Sequence, residues 1–145
     1  MYFVDREKIE ATLIYLEGQV TLFRNQKAWS TPLEKAALER LSQMMIESVL
    51  DVGNAMIDGF IMRDPGSYDD IIDILIDEKV NSAETGERLK ILIQYRKKLV
   101  QDYIAIDHSE LHQSFSTYLP ELVTFTENVR DYLANELGPV SAFKN

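Results

Sequence analysis

An all-α fold, an up-and-down bundle of about five helices in a single domain over residues 1–145, is what this sequence predicts. Three observations carry that expectation. Apolar residues recur at spacings of three and four, no segment alternates with period two over a strand's length, and helix start and stop residues separate the apolar stripes. A chain of 145 residues has the size of one domain, and 46% hydrophobic with 27% charged residues suits a packed core rather than a disordered chain.

The first helix is expected from about Asp5 to Arg24, with Ile9, Leu13, Leu16, Val20 and Phe23 on one buried stripe. Asn25 to Ser30 breaks the pattern. Thr31-Pro32-Leu33-Glu34 starts the second helix: Thr31 caps, Pro32 suits the first helical position, and Glu34 closes a capping box. This helix reaches about Phe60 and points Leu41, Met45, Val49, Val52, Met56 and Phe60 inward, while Gly53 and Gly59 permit close approach of a neighbour. Asp64-Pro65-Gly66 is a turn, and Ser67 with Asp70 starts a short helix from Tyr68 to about Lys79. Asn81 or Ser82 caps a fourth helix that runs to Tyr103 or Ile104. Asp107 with Glu110 starts the fifth, in which Leu111, Phe115, Tyr118, Leu122, Phe125, Val129 and Tyr132 keep a 4-3 rhythm. Pro120 is expected to kink it and Gly138-Pro139 to stop it.

The second and fifth helices carry more apolar surface than one small bundle is expected to cover. Met44, Met45, Ile46, Ile57, Ile61 and Met62 widen the second helix's face, and a homodimer would bury the excess.

The absence of cysteine removes disulfides and thiolate metal sites. MYFVDREKIE lacks an apolar signal core and no eighteen apolar residues run together, so the expected location is the cytoplasm, off the membrane. A net charge of −9 argues against broad, nonspecific nucleic-acid binding, leaving one local basic patch at Arg88 to Lys98. His108 and His112 have no third ligand nearby and are expected to be solvated turn and first-turn residues. No glycine-rich phosphate loop and no Ser-His-Asp pattern occurs, so neither a metal nor a cofactor is expected. The carboxylates of Tyr68-Asp69-Asp70 and Ile76-Asp77-Glu78 read as a solvated helix face.

One helix is chemically odd. At about 100° per residue, Leu89, Leu92, Ile93, Leu99, Val100 and Tyr103 fall within about 60° of Arg96. Arg96 therefore sits at the centre of an apolar arc, opposite Lys90, Gln94, Lys97, Lys98 and Gln101. A guanidinium aimed at a core loses hydration and needs a carboxylate, a carbonyl array or a polar cleft. Candidate carboxylates are Glu47, Asp51 and Asp58 on the second helix. Two readings stand: a structural arginine paired with one of these acids, or an arginine lining a cleft that takes an anion such as phosphate. Tyr103 lies about 20° from Arg96 on an ideal helix and would face the same groove.

Arg96-Lys97-Lys98-Leu99-Val100-Gln101-Asp102-Tyr103 resembles the signature of the HEPN superfamily, specifically its HepT-like toxin branch, whose motif is commonly written RNxLVHxY. The resemblance extends over nearly the whole chain, through the helix lengths, Leu50-Asp51-Val52-Gly53-Asn54 and the exit Tyr103-Ile104-Ala105-Ile106-Asp107. It implies a homodimer with the motifs in a cleft between protomers and metal-independent ribonuclease activity. It also implies a nucleotidyltransferase antitoxin partner that adds AMP to the motif tyrosine. Arg96 would then hold the scissile phosphate and Tyr103 would be the modified hydroxyl, with Lys97, Asp102, Glu47 and Asp51 about the cleft. Here the motif histidine is replaced by Gln101 and the usual asparagine by Lys97.

The replacement matters because an amide cannot move protons near neutral pH as imidazole does. An ideal helix also puts Gln101 about 140° from Arg96, so convergence requires a distorted helix end or a second chain. Three functions follow: an RNA-cleaving toxin with a degenerate Arg-x4-Gln-x-Tyr motif; a catalytically silent dimeric module that binds a nucleotide, RNA or a nucleotidyltransferase; or a purely structural helical dimer.

Overall fold

The computed structural model describes residues 2–138, and among them every regular element is helical. The helices are α1 (Arg6–Asn25), α2 (Pro32–Gly59), α3 (Tyr68–Asp77), α4 (Ala83–Ile93), α5 (Tyr95–Val100) and α6 (His108–Leu137), with one 3-10 turn at Tyr103–Ala105. The expected fourth helix is divided into α4 and α5. Gln94 keeps right-handed helical dihedrals and its N–H still reaches the Lys90 carbonyl at 3.1 Å, so the interruption is one residue wide.

The start signals act through the chemistry that the sequence implies. The Thr31 hydroxyl accepts from the Glu34 N–H at 3.1 Å while Glu34 accepts from the Thr31 N–H at 3.0 Å, a complete capping box ahead of Pro32. Ser67, Ser82 and Asp107 cap α3, α4 and α6 by accepting from the N–H groups of Asp70, Thr85 and Glu110. Each cap satisfies a donor that the helix leaves open and is worth about 1 kcal/mol. Gly138 closes α6 at φ 78°, a left-handed conformation that suits glycine, whereas Pro139 lies outside the described residues. α6 continues through Pro120. Proline takes the usual N–H partner away from the Ser116 carbonyl, but both residues are exposed, where water can take its place.

α2 is the central helix and packs against α1, α3, α5 and α6. That position corrects the argument from excess apolar surface. Met45, Ile46 and Ile57 are buried within the chain, Met44 and Met62 are half-buried, and only Ile61, at 69%, is largely exposed. Neighbouring helices cover the wide face of α2, so it supplies little reason for a second copy. The α1 stripe of Ile9, Leu13, Leu16, Val20 and Phe23 is buried throughout, as the spacing predicts.

Two tertiary ties were not legible beforehand. Arg130 on α6 donates through Nε to Glu10 at 2.7 Å and through both terminal nitrogens to Glu17 at 2.8 Å, clamping α6 to α1. The Arg130 fork holds the Glu17 carboxyl below the ordinary carboxylate range, and the two acids push the guanidinium further above its own. The extended residues before α1 dock on the end of α2, where the Phe3 N–H donates to the Gly59 carbonyl at 3.1 Å and Val4 is buried. Gly59 allows this approach: a Cβ there would lie 2.9 Å from Val4 Cγ2, 3.0 Å from Val4 Cα and 3.2 Å from the Phe3 oxygen. Since backbone cannot rotate aside, Gly59→Ala is expected to lose about 1–2 kcal/mol in urea unfolding despite the better helix propensity of alanine. Unchanged or raised stability would show that the N-terminal segment does not pack on α2.

Candidate functional site

Arg96 projects from the first turn of α5 into a groove of about 430 Å³ between α5 and the start of α3. Its Nε donates to Glu47 Oε1 of α2 at 2.5 Å, and its guanidinium lies over the Tyr68 ring with Cζ 4.5 Å from the centroid. The side chains of Arg96 and Glu47 are 25% and 23% exposed, so the pair is shielded without being sealed. The two readings of this arginine are therefore not exclusive: it is acid-paired and lines a groove. Glu47 engages only the Nε edge, and Nη1 and Nη2 have no hydrogen-bond partner among the described residues. A guanidinium held at Nε, with its terminal nitrogens unengaged among the described residues, is suited to bind an oxyanion in two-pronged fashion.

Ser67, Tyr68, Asp69, Lys97 and Gln101 line the same groove. The convergence of Gln101 with Arg96 needs no second chain. α5 ends at Val100, Gln101 takes φ −109° and ψ −45°, and the Lys97 carbonyl accepts from the N–H groups of both Gln101 and Asp102. The Gln101 bond is the last of ordinary helical span and the Asp102 bond is one residue wider, so the chain leaves the ideal helical track, and Gln101 lines the groove that holds Arg96.

Four other residues stand apart from this groove within the single chain. Tyr103 lies in the 3-10 turn, is 61% exposed and is not among the residues lining the Arg96 groove. Val100 is exposed rather than on a buried arc. Asp102 faces a separate depression with Tyr95, Lys98 and Glu110. Asp51 shares another with Lys8 and Asp58. Partial burial and then the neighbouring Glu47 charge raise the Asp51 carboxyl above its usual range, opposed by Lys8 and Arg96. It remains electrostatically tied to Arg96 without lining its groove.

The basic patch is mostly neutralised. Arg88 is paired with Glu84 and Glu121, Lys90 with Asp73 and Glu87, and Lys98 lies 3.9 Å from Glu110. Lys97 alone in that patch has no ion pair among the described residues, so the cationic character of the groove reduces to Lys97 and the Arg96 fork. The histidines also differ from expectation. His108 Nε2 is 2.7 Å from Glu39, and His112 stacks on Phe23, so neither is a freely solvated side chain. Neither lines the groove.

Sequence reasoning missed Tyr68. Its one local signal is an aromatic at the first position of α3, directly after the Ser67 cap. A staple fixes that position: Arg63 donates two bonds to Asp70 at 2.8 and 2.9 Å, and the Gly66 N–H donates to the same carboxylate at 2.8 Å. Asp70 is thus not a merely solvated helix-face acid. The Arg63 bonds, with help from Gly66, hold its carboxyl at about 2, below the usual 3.8. A depressed carboxyl stabilises the fold above its unfolded value and ceases to do so as pH falls toward the folded value. The Asp70 contribution should therefore disappear between about 3.8 and about 2. In Arg63→Ala, a carboxyl titration followed by NMR should find Asp70 moved up toward the ordinary range; an unmoved Asp70 would remove the staple.

Comparison with known proteins agrees with this architecture. Residues 15–129 match the family described as "Ribonuclease HepT-like". A Bacillus subtilis (strain 168) protein named "Putative RNase YutE" is 54% identical over 144 residues, covering 99% of this chain and 100% of the relative. A solved structure of YutE from Bacillus subtilis, described as a cytosolic protein of unknown function, has 54% identity and a TM-score of 0.96, covering 99% of this chain and 100% of that one. A chain in a crystal structure described as "toxin-antitoxin with AMP-PNP" is 13% identical with a TM-score of 0.73, covering 86% and 96%, a likeness of fold. Both the matched span and the identity over almost the full length lead to one conclusion: this chain belongs to the HepT-like ribonuclease family.

Proposed function

We propose that the Arg96 groove is an RNA phosphate site of the HepT-like kind whose cleavage power is weak or absent because Gln101 stands where the motif has histidine. The observation that carries the reading is the Arg96 guanidinium, held at Nε by Glu47 and stacked on Tyr68, lining the groove that Tyr68, Gln101 and Lys97 also line. Such a fork stabilises negative charge on a phosphate. Departure of the 5′-oxygen still needs a proton, and an amide does not supply one. The histidines give no replacement, being engaged with Glu39 and Phe23 away from the groove. Losing acid–base help costs on the order of a hundred- to ten-thousandfold in rate.

The homodimer, the nucleotidyltransferase antitoxin partner and AMP addition to Tyr103 belong to this proposal. The family supports them, and so does the exposed Tyr103 beside the 92% exposed Ile104, where a second protein can reach the hydroxyl. A catalytically silent binding module is the second reading, favoured by the absence of any imidazole lining the groove.

The test is cleavage of a single-stranded RNA without added metal. The protein itself should cleave slowly or not at all, Gln101→His should gain at least tenfold, and adding Arg96→Ala should remove the gain. Robust cleavage by the unaltered protein would refute the role assigned to Gln101. No gain in Gln101→His would favour the silent module. Light scattering should report about twice the 16.7 kDa of one chain; a monomer at high concentration would contradict the dimer.

A further inference from the structure

We infer that Tyr68 is a stacking platform for one unpaired nucleobase, so that the groove takes a nucleotide unit, its phosphate on Arg96 and its base on the tyrosine ring. This rests on the phosphate reading of Arg96. Tyr68 as a residue is 48% exposed although Arg96 already lies over its ring, and it lines the groove. An exposed aromatic in a mobile segment would have little use as a platform, but the backbone around Tyr68 is held. Tyr68 follows the Ser67 cap directly, and the Arg63–Asp70 fork and the Gly66 N–H staple the residues on either side of it. The guanidinium and the ring are in contact, which brings a phosphate on the open fork within one nucleotide's span of a base on the ring.

The chemistry of the surroundings agrees. Ser67 and Asp69 flank Tyr68 in the groove and offer a hydroxyl and a carboxylate to a base edge or a ribose hydroxyl. Every base has a π-face, so a ring platform is tolerant of sequence, but the base must be free of a duplex partner to reach it. Substrates are therefore single-stranded segments or mononucleotides, and the sequence preference from this contact is slight. A helix without an exposed ring would grip phosphate alone; the tyrosine is what makes the groove discriminate a nucleotide from a bare anion.

The alternative role for Tyr68 is to orient Arg96 through the cation–π contact and nothing more. Calorimetric titration of the whole chain with adenosine 5′-monophosphate, ribose 5-phosphate and inorganic phosphate separates the two. The nucleotide should bind about tenfold tighter than ribose 5-phosphate, the gain expected for stacking one base. Tyr68→Leu should abolish that ratio and Tyr68→Phe should preserve it, with circular dichroism confirming the fold of each. Equal binding of nucleotide and ribose 5-phosphate by the unaltered protein overturns the platform while leaving the phosphate site intact. Equal weakening of both ligands in Tyr68→Leu, with the ratio kept, reduces the tyrosine to an orienting role and also overturns it. If none of the three ligands binds, the phosphate reading of Arg96 fails, and the platform fails with it.

Discussion

Arg96 has to be compensated, and the way it is compensated sets the geometry of everything around it. A guanidinium at the inner face of a short helix loses water and gains a partner or destabilises the fold. Glu47 supplies that partner from the central helix, and it does so through Nε alone. A carboxylate across the terminal nitrogens would have satisfied the charge equally well and closed the groove. The side-on grip leaves the fork open, and the Tyr68 ring covers a face of the guanidinium. Both partners are about three-quarters shielded, so the pair keeps some solvent access and avoids the full desolvation of a sealed ion pair.

Charge elsewhere in the chain makes this arginine stand out. The protein carries 24 carboxylates against 15 lysines and arginines, and most cations near the groove are occupied by acids on adjacent turns or helices. The fork and Lys97 are what remains. An RNA held through so few phosphate contacts, as proposed, would be recognised by the shape and chemistry of one nucleotide rather than by an extended electrostatic track. The overall acidity then repels nonspecific polyanions without weakening a contact made at short range in a partly shielded groove.

The helix order, the caps and the buried stripes were legible because they are local. Thr31, Ser67, Ser82 and Asp107 each act on a donor three residues on, and the α1 and α6 stripes repeat at helical spacing. Arg96 was legible as an anomaly, and Glu47 as one of three possible partners, since both follow from helical phase. What stayed hidden depends on segments far apart in sequence. The Arg130 clamp joins residues more than a hundred positions apart, and the seat of Val4 on Gly59 joins the chain's start to the end of α2. Tyr103 departs from the ideal wheel for another reason. No glycine or proline follows Val100, so an ideal wheel carries the helix onward, whereas the Asp102 N–H turns back to the Lys97 carbonyl, five residues behind it, and the helix ends. That one local event moves Gln101 to the groove and Tyr103 out to solvent.

The central claim is that the terminal nitrogens of Arg96 are free to take phosphate while Nε stays with Glu47. Nitrogen NMR of the arginine side chains during a titration with inorganic phosphate observes those atoms directly. A saturable shift of the Arg96 terminal-nitrogen signals is expected with the Nε signal little moved, and loss of the response in Glu47→Ala, where no side chain accepts from Nε and the fork is no longer oriented. An Arg96 whose signals ignore phosphate, or one that responds equally well without the Glu47 carboxylate, would contradict it.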